Sequence, residues 1–114
     1  LVHNALDAAK QAEAEGISVE VFDLRSLNPL DVEGICKTAR KTGRVIVAHE
    51  DKVFGGFGGE VAAIVVRECF DSLDAPVERI GQKYIPVPFN KKLEAAMQSN
   101  PAMLLEAIRK QVRY

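Results

Sequence analysis

The sequence predicts an α/β fold, a three-layer α/β/α sandwich around a mostly parallel sheet, on three observations. Segments of helical period alternate with segments of strand character along the chain. Val45-Ile46-Val47-Ala48 is a continuous apolar run, the pattern of a strand covered by helices on both faces. With 114 residues, 47% hydrophobic and 27% charged, the chain can hold one ordinary core but not a second. A domain of this size buries roughly two-thirds of its unfolded surface, enough to fold without a metal or disulfide staple.

The first element is an amphipathic helix. Leu1, Val2, Ala5, Leu6, Ala9 and Ala12 recur at helical spacing opposite Asp7, Lys10, Gln11 and Glu13, and Gly16 is the stop. The pattern is already running at residue 1 with no cap before it. We therefore expect one domain over residues 1–114, truncated at its N-terminus. A first helix in such a fold is a crossover that leaves one strand and returns to the sheet, so the first strand is expected to be missing.

After Gly16 the period changes to two: Ile17, Val19 and Val21 alternate with Ser18 and Glu20, and Phe22 and Leu24 follow, predicting a strand. Asn28-Pro29-Leu30-Asp31 supplies turn chemistry, with Asp31 capping a second helix that buries Val32, Ile35, Cys36 and Ala39. Lys37, Arg40 and Lys41 crowd its C-terminal end, where the helix dipole favours cations, and Gly43 ends it. Gly34 costs this helix about 1 kcal/mol relative to Ala, which packing must offset.

Beyond the apolar run lies Val53-Phe54-Gly55-Gly56-Phe57-Gly58-Gly59-Glu60, then a segment from about Gly58 to Ser72 with Val61, Ala62, Ile64, Val65, Cys69 and Phe70. Val61 to Val66 alone could be a strand; the length of the whole segment favours a largely buried helix. Pro76 to Ile80 reads as another strand, and Gly81 to Phe89, with Pro86 and Pro88, as an extended loop. A short helix from Lys91 to Met97 follows. Asn100 then caps a last helix with Pro101 at its first position and Leu104, Leu105, Ile108 and Val112 on one face. At least three mostly parallel strands result.

Composition narrows the function classes. The net charge of -1 comes from 15 basic and 16 acidic residues scattered along the chain, so neither nucleic acid nor an anionic membrane is an expected partner. Cys36 and Cys69 stand in apolar surroundings outside any C-x-x-C or Cys/His cluster, and read as buried reduced thiols. No apolar run approaches the roughly 20 residues of a bilayer span, and no signal-peptide zones open the chain. We expect a soluble domain of a reducing compartment, cytoplasmic or mitochondrial matrix.

Two motifs could carry chemistry. In Gly55-Gly56-Phe57-Gly58-Gly59-Glu60, glycines at a helix start would let backbone N–H groups cradle an anion. The spacing matches neither G-x-G-x-x-G with its later acid nor G-x-x-x-x-G-K-[ST], and Glu60 adds negative charge. The preferred reading is structural: tight turns and close packing of two protein surfaces, Phe57 as an apolar plug and Glu60 favourably placed in the first turn. His49-Glu50-Asp51 closes a strand at the edge where open α/β sheets place their sites. It could serve acid–base chemistry or half a metal site, but a polar strand end is the preferred reading.

Taken in order, Asp23-Leu24-Arg25-Ser26-Leu27-Asn28-Pro29-Leu30-Asp31, Lys41-Thr42-Gly43-Arg44, His49-Glu50, the glycine-rich run, Leu73-Asp74-Ala75-Pro76-Val77-Glu78-Arg79 and Pro86-Val87-Pro88-Phe89 resemble one family. It is the C-terminal, transketolase-like domain of the E1 β subunit of thiamine diphosphate-dependent 2-oxo acid dehydrogenases, of pyruvate or branched-chain type. Gly59 departs from the family's more usual Ala, and Gly81-Gln82-Lys83-Tyr84-Ile85 from its usual polar, Pro-containing turn. The resemblance implies a parent that decarboxylates a 2-oxo acid and passes the acyl group to a lipoyl arm of E2. Thiamine diphosphate and Mg²⁺ would be bound outside this chain, which would hold no catalytic, cofactor or metal residue and be inactive alone. Implied partners are the E1 α part, a second β part across a two-fold axis, and the subunit-binding domain of E2. That last contact maps to Asp74 and Tyr114. The alternatives are the equivalent domain of a transketolase or deoxyxylulose phosphate synthase, and a stand-alone regulator binding an anionic metabolite at the glycine-rich loop.

Overall fold

The computed structural model describes all residues from Leu1 to Tyr114. Local signals set most element ends. Helix α1 (Val2–Ala14) runs straight from the first residue, and the chain leaves it through Gly16 at a φ of 80°. Helix α2 (Val32–Thr42) begins where the Asp31 carboxylate accepts the Gly34 N–H at 2.9 Å and stops at Gly43, whose left-handed φ of 67° suits glycine. Strand β1 (Ile46–Lys52) contains the apolar run and continues past it. Helix α3 (Gly58–Cys69) confirms the helical reading of the glycine-flanked segment and ends in a 3₁₀ turn (Phe70–Ser72). Strand β2 (Glu78–Gln82), helix α4 (Lys91–Met97) and helix α5 (Pro101–Gln111) complete the chain, with Asn100 Oδ1 accepting the Met103 N–H at 3.0 Å. No helix is long and apolar enough to cross a membrane.

β1 and β2 pair in parallel with Ile46 opposite Glu78, Val47 opposite Arg79 and Ala48 opposite Ile80, and the register breaks between Ala48 and Lys52. One face of this pair is covered by α1 and α5, where Ala8, Ala12, Ile80, Leu104, Leu105 and Ile108 form one apolar cluster. The other is covered by α2 and α3, where Ile35, Cys36, Ala39, Val47, Val61, Val65 and Cys69 form a second. Ile46 and Ala48 pack on the first cluster and Val47 in the second, as the two-residue period of a strand requires. The three layers are those predicted. Cys36 and Cys69 are buried free thiols, and burial, first of all, raises the Cys69 pKa.

Five expectations need correction, the first being Val32, which stands exposed at the first position of α2 instead of buried. Residues 17–24 are not a paired strand: the sheet has two strands, and none of residues 18–23 makes a backbone–backbone hydrogen bond. Their burial still alternates, with Ile17, Val19 and Val21 half-buried and Ser18 and Glu20 exposed. What is absent is a neighbour at hydrogen-bonding distance. Phe70 is exposed because the chain tightens into the 3₁₀ turn after Cys69 and swings the ring outward. On α5, Gln111 is buried in place of Val112, its amide held at 2.9 Å by the Pro76 carbonyl. On α1 the buried stripe runs through Ala8 and Ala12, leaving Val2 and Leu6 exposed.

Candidate functional site

The residues singled out from sequence occupy opposite ends of the sheet. At the N-terminal end, Gly43 places the chain for Arg44, whose guanidinium reaches two segments distant in sequence. Its Nη1 donates to Asp74 Oδ2 at 3.3 Å and its Nε to the Gln111 carbonyl at 3.0 Å. That carbonyl also accepts the Tyr114 N–H at 3.4 Å. Asp74 and Tyr114, 40 positions apart in sequence, are thus gathered at one corner by a single arginine. The Asp74 N–H donates to the Gly43 carbonyl at 2.7 Å, and a side chain at position 43 would overlap the Asp74 carboxylate. The corner is open to solvent: the Asp74 side chain is 62% exposed and Tyr114 61%. Beside them Lys110 pairs with Glu78 at 2.7 Å, and that hydrogen bond, with the carboxylate's charge, raises the lysine pKa.

The glycine-rich loop lies at the other end, beside His49. A Cβ on Gly58 would overlap the imidazole at Cδ2 and Nε2; one on Gly56 would overlap the Lys52 carbonyl first and lie 2.6 Å from Cε1, and one on Gly81 would lie 2.5 Å from the Asp51 carbonyl and 3.1 Å from Cε1. Gly58 therefore makes room for the ring, while Gly56 and Gly81 first make room for backbone carbonyls and lie beside the ring. His49 lies two residues beyond Val47 and shares its face of β1, which sets the ring against the start of α3. Both ring nitrogens are buried without a protein partner. Glu50 is exposed and receives the Leu1 nitrogen at 2.9 Å, and Asp51 accepts its neighbour Lys52's N–H at 2.7 Å. The three side chains of His49-Glu50-Asp51 thus do not converge on one point.

Sequence reasoning offered the loop amides as a possible anion cradle. Gly59 N–H donates to the Gly56 carbonyl at 3.0 Å, and the Glu60 and Val61 N–H groups donate to the Phe57 carbonyl at 3.0 and 3.3 Å. Those three donors are held within the loop, and Glu60 adds a carboxylate in the first turn of α3. The loop presents an apolar surface. Phe54 is 72% exposed and meets Tyr84, 70% exposed, edge to face at 5.0 Å, with Lys52 Nζ 5.5 Å from the Tyr84 ring. Phe57, the expected plug, is less exposed than Phe54.

Arg44, Gln111, Phe54 and Tyr84 received no functional role from sequence. Arg44 and Gln111 act through contacts between segments about 30 to 70 positions apart, which no local motif carries. Phe54 and Tyr84 were legible as aromatics in polar or glycine-rich surroundings, a signal for exposed apolar contact.

In class this is a three-layer α/β domain whose conspicuous residues lie at solvent-facing corners. The family described as "Transketolase, C-terminal domain" matches residues 1–104, and the chain belongs to that family. It is 42% identical over 106 residues to the pyruvate dehydrogenase E1 component subunit beta of Rickettsia bellii (strain RML369-C), covering 93% of this chain and 33% of that protein. It is also 42% identical over 109 residues to the 2-oxoisovalerate dehydrogenase subunit beta of Bacillus subtilis (strain 168), covering 95% of this chain and 33% of the relative. A solved structure titled "Split gene transketolase, inactive beta4 tetramer" superposes with a TM-score of 0.81 at 34% identity, over 98% of this chain and 35% of that one. The chain spans about one third of the length of the relatives it matches.

Proposed function

We propose that this chain is the assembly and partner-docking domain of a thiamine diphosphate-dependent 2-oxo acid dehydrogenase E1 component. The parent would carry out oxidative decarboxylation of a 2-oxo acid with acyl transfer to lipoyl-E2. Thiamine diphosphate and Mg²⁺ would be held by other parts of that enzyme, and the isolated chain would be inactive. The glycine-rich loop, whose Gly59, Glu60 and Val61 amides are bonded within it, serves contact rather than anion binding. Asp74 and Tyr114 receive the basic subunit-binding domain of E2.

The observation carrying this reading is the Arg44 bridge, which gathers Asp74 and the Tyr114 turn at one solvent-facing corner. An interfacial carboxylate beside apolar surface steers a cationic partner and contributes a few kcal/mol, on the order of 2–5, when its hydrogen-bonded partner desolvates with it. Calorimetric titration of the E2 subunit-binding domain into reconstituted E1 tests it. Asp74→Lys lowers the affinity and reduces its salt dependence; an unchanged isotherm contradicts the docking assignment.

A further inference from the structure

Gln111 is the only polar residue among those buried on α5. Leu104, Ile108 and Gln111 follow one another at helical spacing, and the pattern calls for a third apolar side chain where the amide stands. Gln111 is 3% exposed, and its amide is only half used. Nε2 donates to the Pro76 carbonyl at 2.9 Å, while Oε1 is buried without a partner. An unpaired buried acceptor costs stability that an apolar residue of the same volume would not. Core packing therefore does not account for this side chain.

Its contacts do. The bond to Pro76 is the only direct hydrogen bond between α5 and the Asp74-Ala75-Pro76 segment. That segment is fixed independently of α5, since the Asp74 N–H donates to the Gly43 carbonyl and Ala75 is buried. The end of α5 has less to hold it. The Val112, Arg113 and Tyr114 N–H groups make long bonds of 3.2, 3.2 and 3.4 Å, all to carbonyls of the helix itself. The last of those carbonyls, that of Gln111, also accepts Arg44 Nε at 3.0 Å. Gln111 thus meets the corner twice, through its side chain at the Asp74 segment and through its main chain at the arginine.

We propose that Gln111 is the positioning residue of the docking corner: by tying the last turn of α5 to Pro76, it fixes the spacing between Asp74 and the Tyr114 turn and holds in place the carbonyl that Arg44 uses. The inference rests on the docking reading above and adds the residue that keeps that site in shape. Asp74 supplies the charge that draws in a cationic partner; Gln111 is neutral and buried and supplies none. Exposed charge acts on the association rate and its salt dependence, whereas the fit of the docked surfaces acts on dissociation. Gln111 therefore governs how long the partner stays.

The test replaces Gln111 by Met, which keeps the volume and removes the donor, with Gln111→Leu as a second variant. Both place an apolar side chain on an apolar face, so the melting temperature stays within a few degrees of the parent. In the 114-residue chain, backbone nitrogen relaxation gives order parameters of about 0.85 at Val112 and Arg113 in the parent and below about 0.6 in the variants, while Asp74 and Ala75 keep theirs. In reconstituted E1, the E2 subunit-binding domain binds the variants with the parent's on-rate and salt dependence and leaves at least about threefold faster, whereas Asp74→Lys lowers the on-rate and its salt dependence. Parent-like order at Val112 and Arg113 overturns the proposal. So does parent-like dissociation from the Gln111 variants where Asp74→Lys weakens binding. A large fall in melting temperature with order lost throughout the chain also overturns it, and assigns Gln111 to core packing. Unchanged binding in Asp74→Lys, with the last turn loosened in the Gln111 variants, sinks the docking reading and supports the positioning of the corner.

Discussion

Gly58 and Gly59 are adjacent at the start of α3, and the structure gives them opposite responses to one methyl group. Neither has a positive φ, so Ala fits the backbone at both. At Gly58 the methyl would overlap the His49 ring and stand 3.3 Å from Val47 Cγ1, and the ring is hemmed by Gly56 and Gly81. Overpacking of this kind costs about 1–3 kcal/mol, offset by up to about 1 kcal/mol of helix propensity. The net loss is about 1–2 kcal/mol, a fall in melting temperature of roughly 5–10 °C at this size. At Gly59 the nearest atom is Arg79 Nη1 at 3.1 Å, the free end of a flexible side chain. Gly59→Ala therefore keeps most of the propensity gain and melts at or above the parent. Thermal and urea unfolding of both variants decide the matter, with His49→Ala as the second arm of a double-mutant cycle. The Gly58→Ala penalty should nearly vanish in the His49→Ala background, a coupling of about 1–2 kcal/mol. Equal melting of the two glycine variants, or a penalty that persists without the ring, refutes the view that Gly58 makes room for His49.

Loss of the α5 cap in Asn100→Ala lowers stability by about 1 kcal/mol in urea unfolding, because the Met103 N–H loses its acceptor. Glu15 and Glu20 titrate below the ordinary carboxylate range, Glu15 through its hydrogen bond from Arg109 and Glu20 through those from Lys41 and then Thr38. A folded pKa below the unfolded one gives stability that is present above the unfolded value, about 4.3, and lost as pH falls through the folded one. The urea midpoint should therefore drop below about pH 5, and less steeply in the Glu15→Gln, Glu20→Gln double variant; identical pH profiles contradict this. Burial raises the Cys69 pKa, keeping the thiol protonated, so iodoacetamide labels it at pH 8 on the order of 100-fold more slowly in the native protein than in urea. Mass spectrometry of the labelled peptide gives the ratio.

Helix ends were legible because they depend on neighbours in sequence. Asp31 and Gly43 on α2, and Asn100 with Pro101 on α5, act within one turn, and the structure uses each as read. The apolar run at Val45–Ala48 announced a strand covered on both faces because burial on two sides removes the usual alternation. Residues 17–24 carry the alternation of a strand yet remain unpaired, since pairing belongs to a neighbour and not to the segment itself. The candidate site was harder to read for the same reason. Asp74 and Tyr114 came from the family resemblance, but the arginine that joins them acts across 30 positions to one and 67 to the Gln111 carbonyl beside the other. The glycine-rich loop was visible as glycine, but the ring that Gly58 packs against lies nine residues earlier on β1, beyond the reach of a local motif.

We propose separate tasks for two surfaces, E2 docking at the Asp74 corner and subunit contact at the glycine-rich loop with the exposed Phe54 and Tyr84. They are tested most directly by a crossed measurement on reconstituted E1. Asp74→Lys and Phe54→Asp are each examined by sedimentation for subunit assembly and by calorimetry for binding of the E2 subunit-binding domain. Asp74→Lys should sediment as the parent assembly and lose at least about tenfold in E2 affinity, about 1.4 kcal/mol. Phe54→Asp should weaken subunit assembly while the assembled fraction binds E2 as the parent does. Parent-like E2 affinity in Asp74→Lys together with parent-like sedimentation in Phe54→Asp would contradict the account.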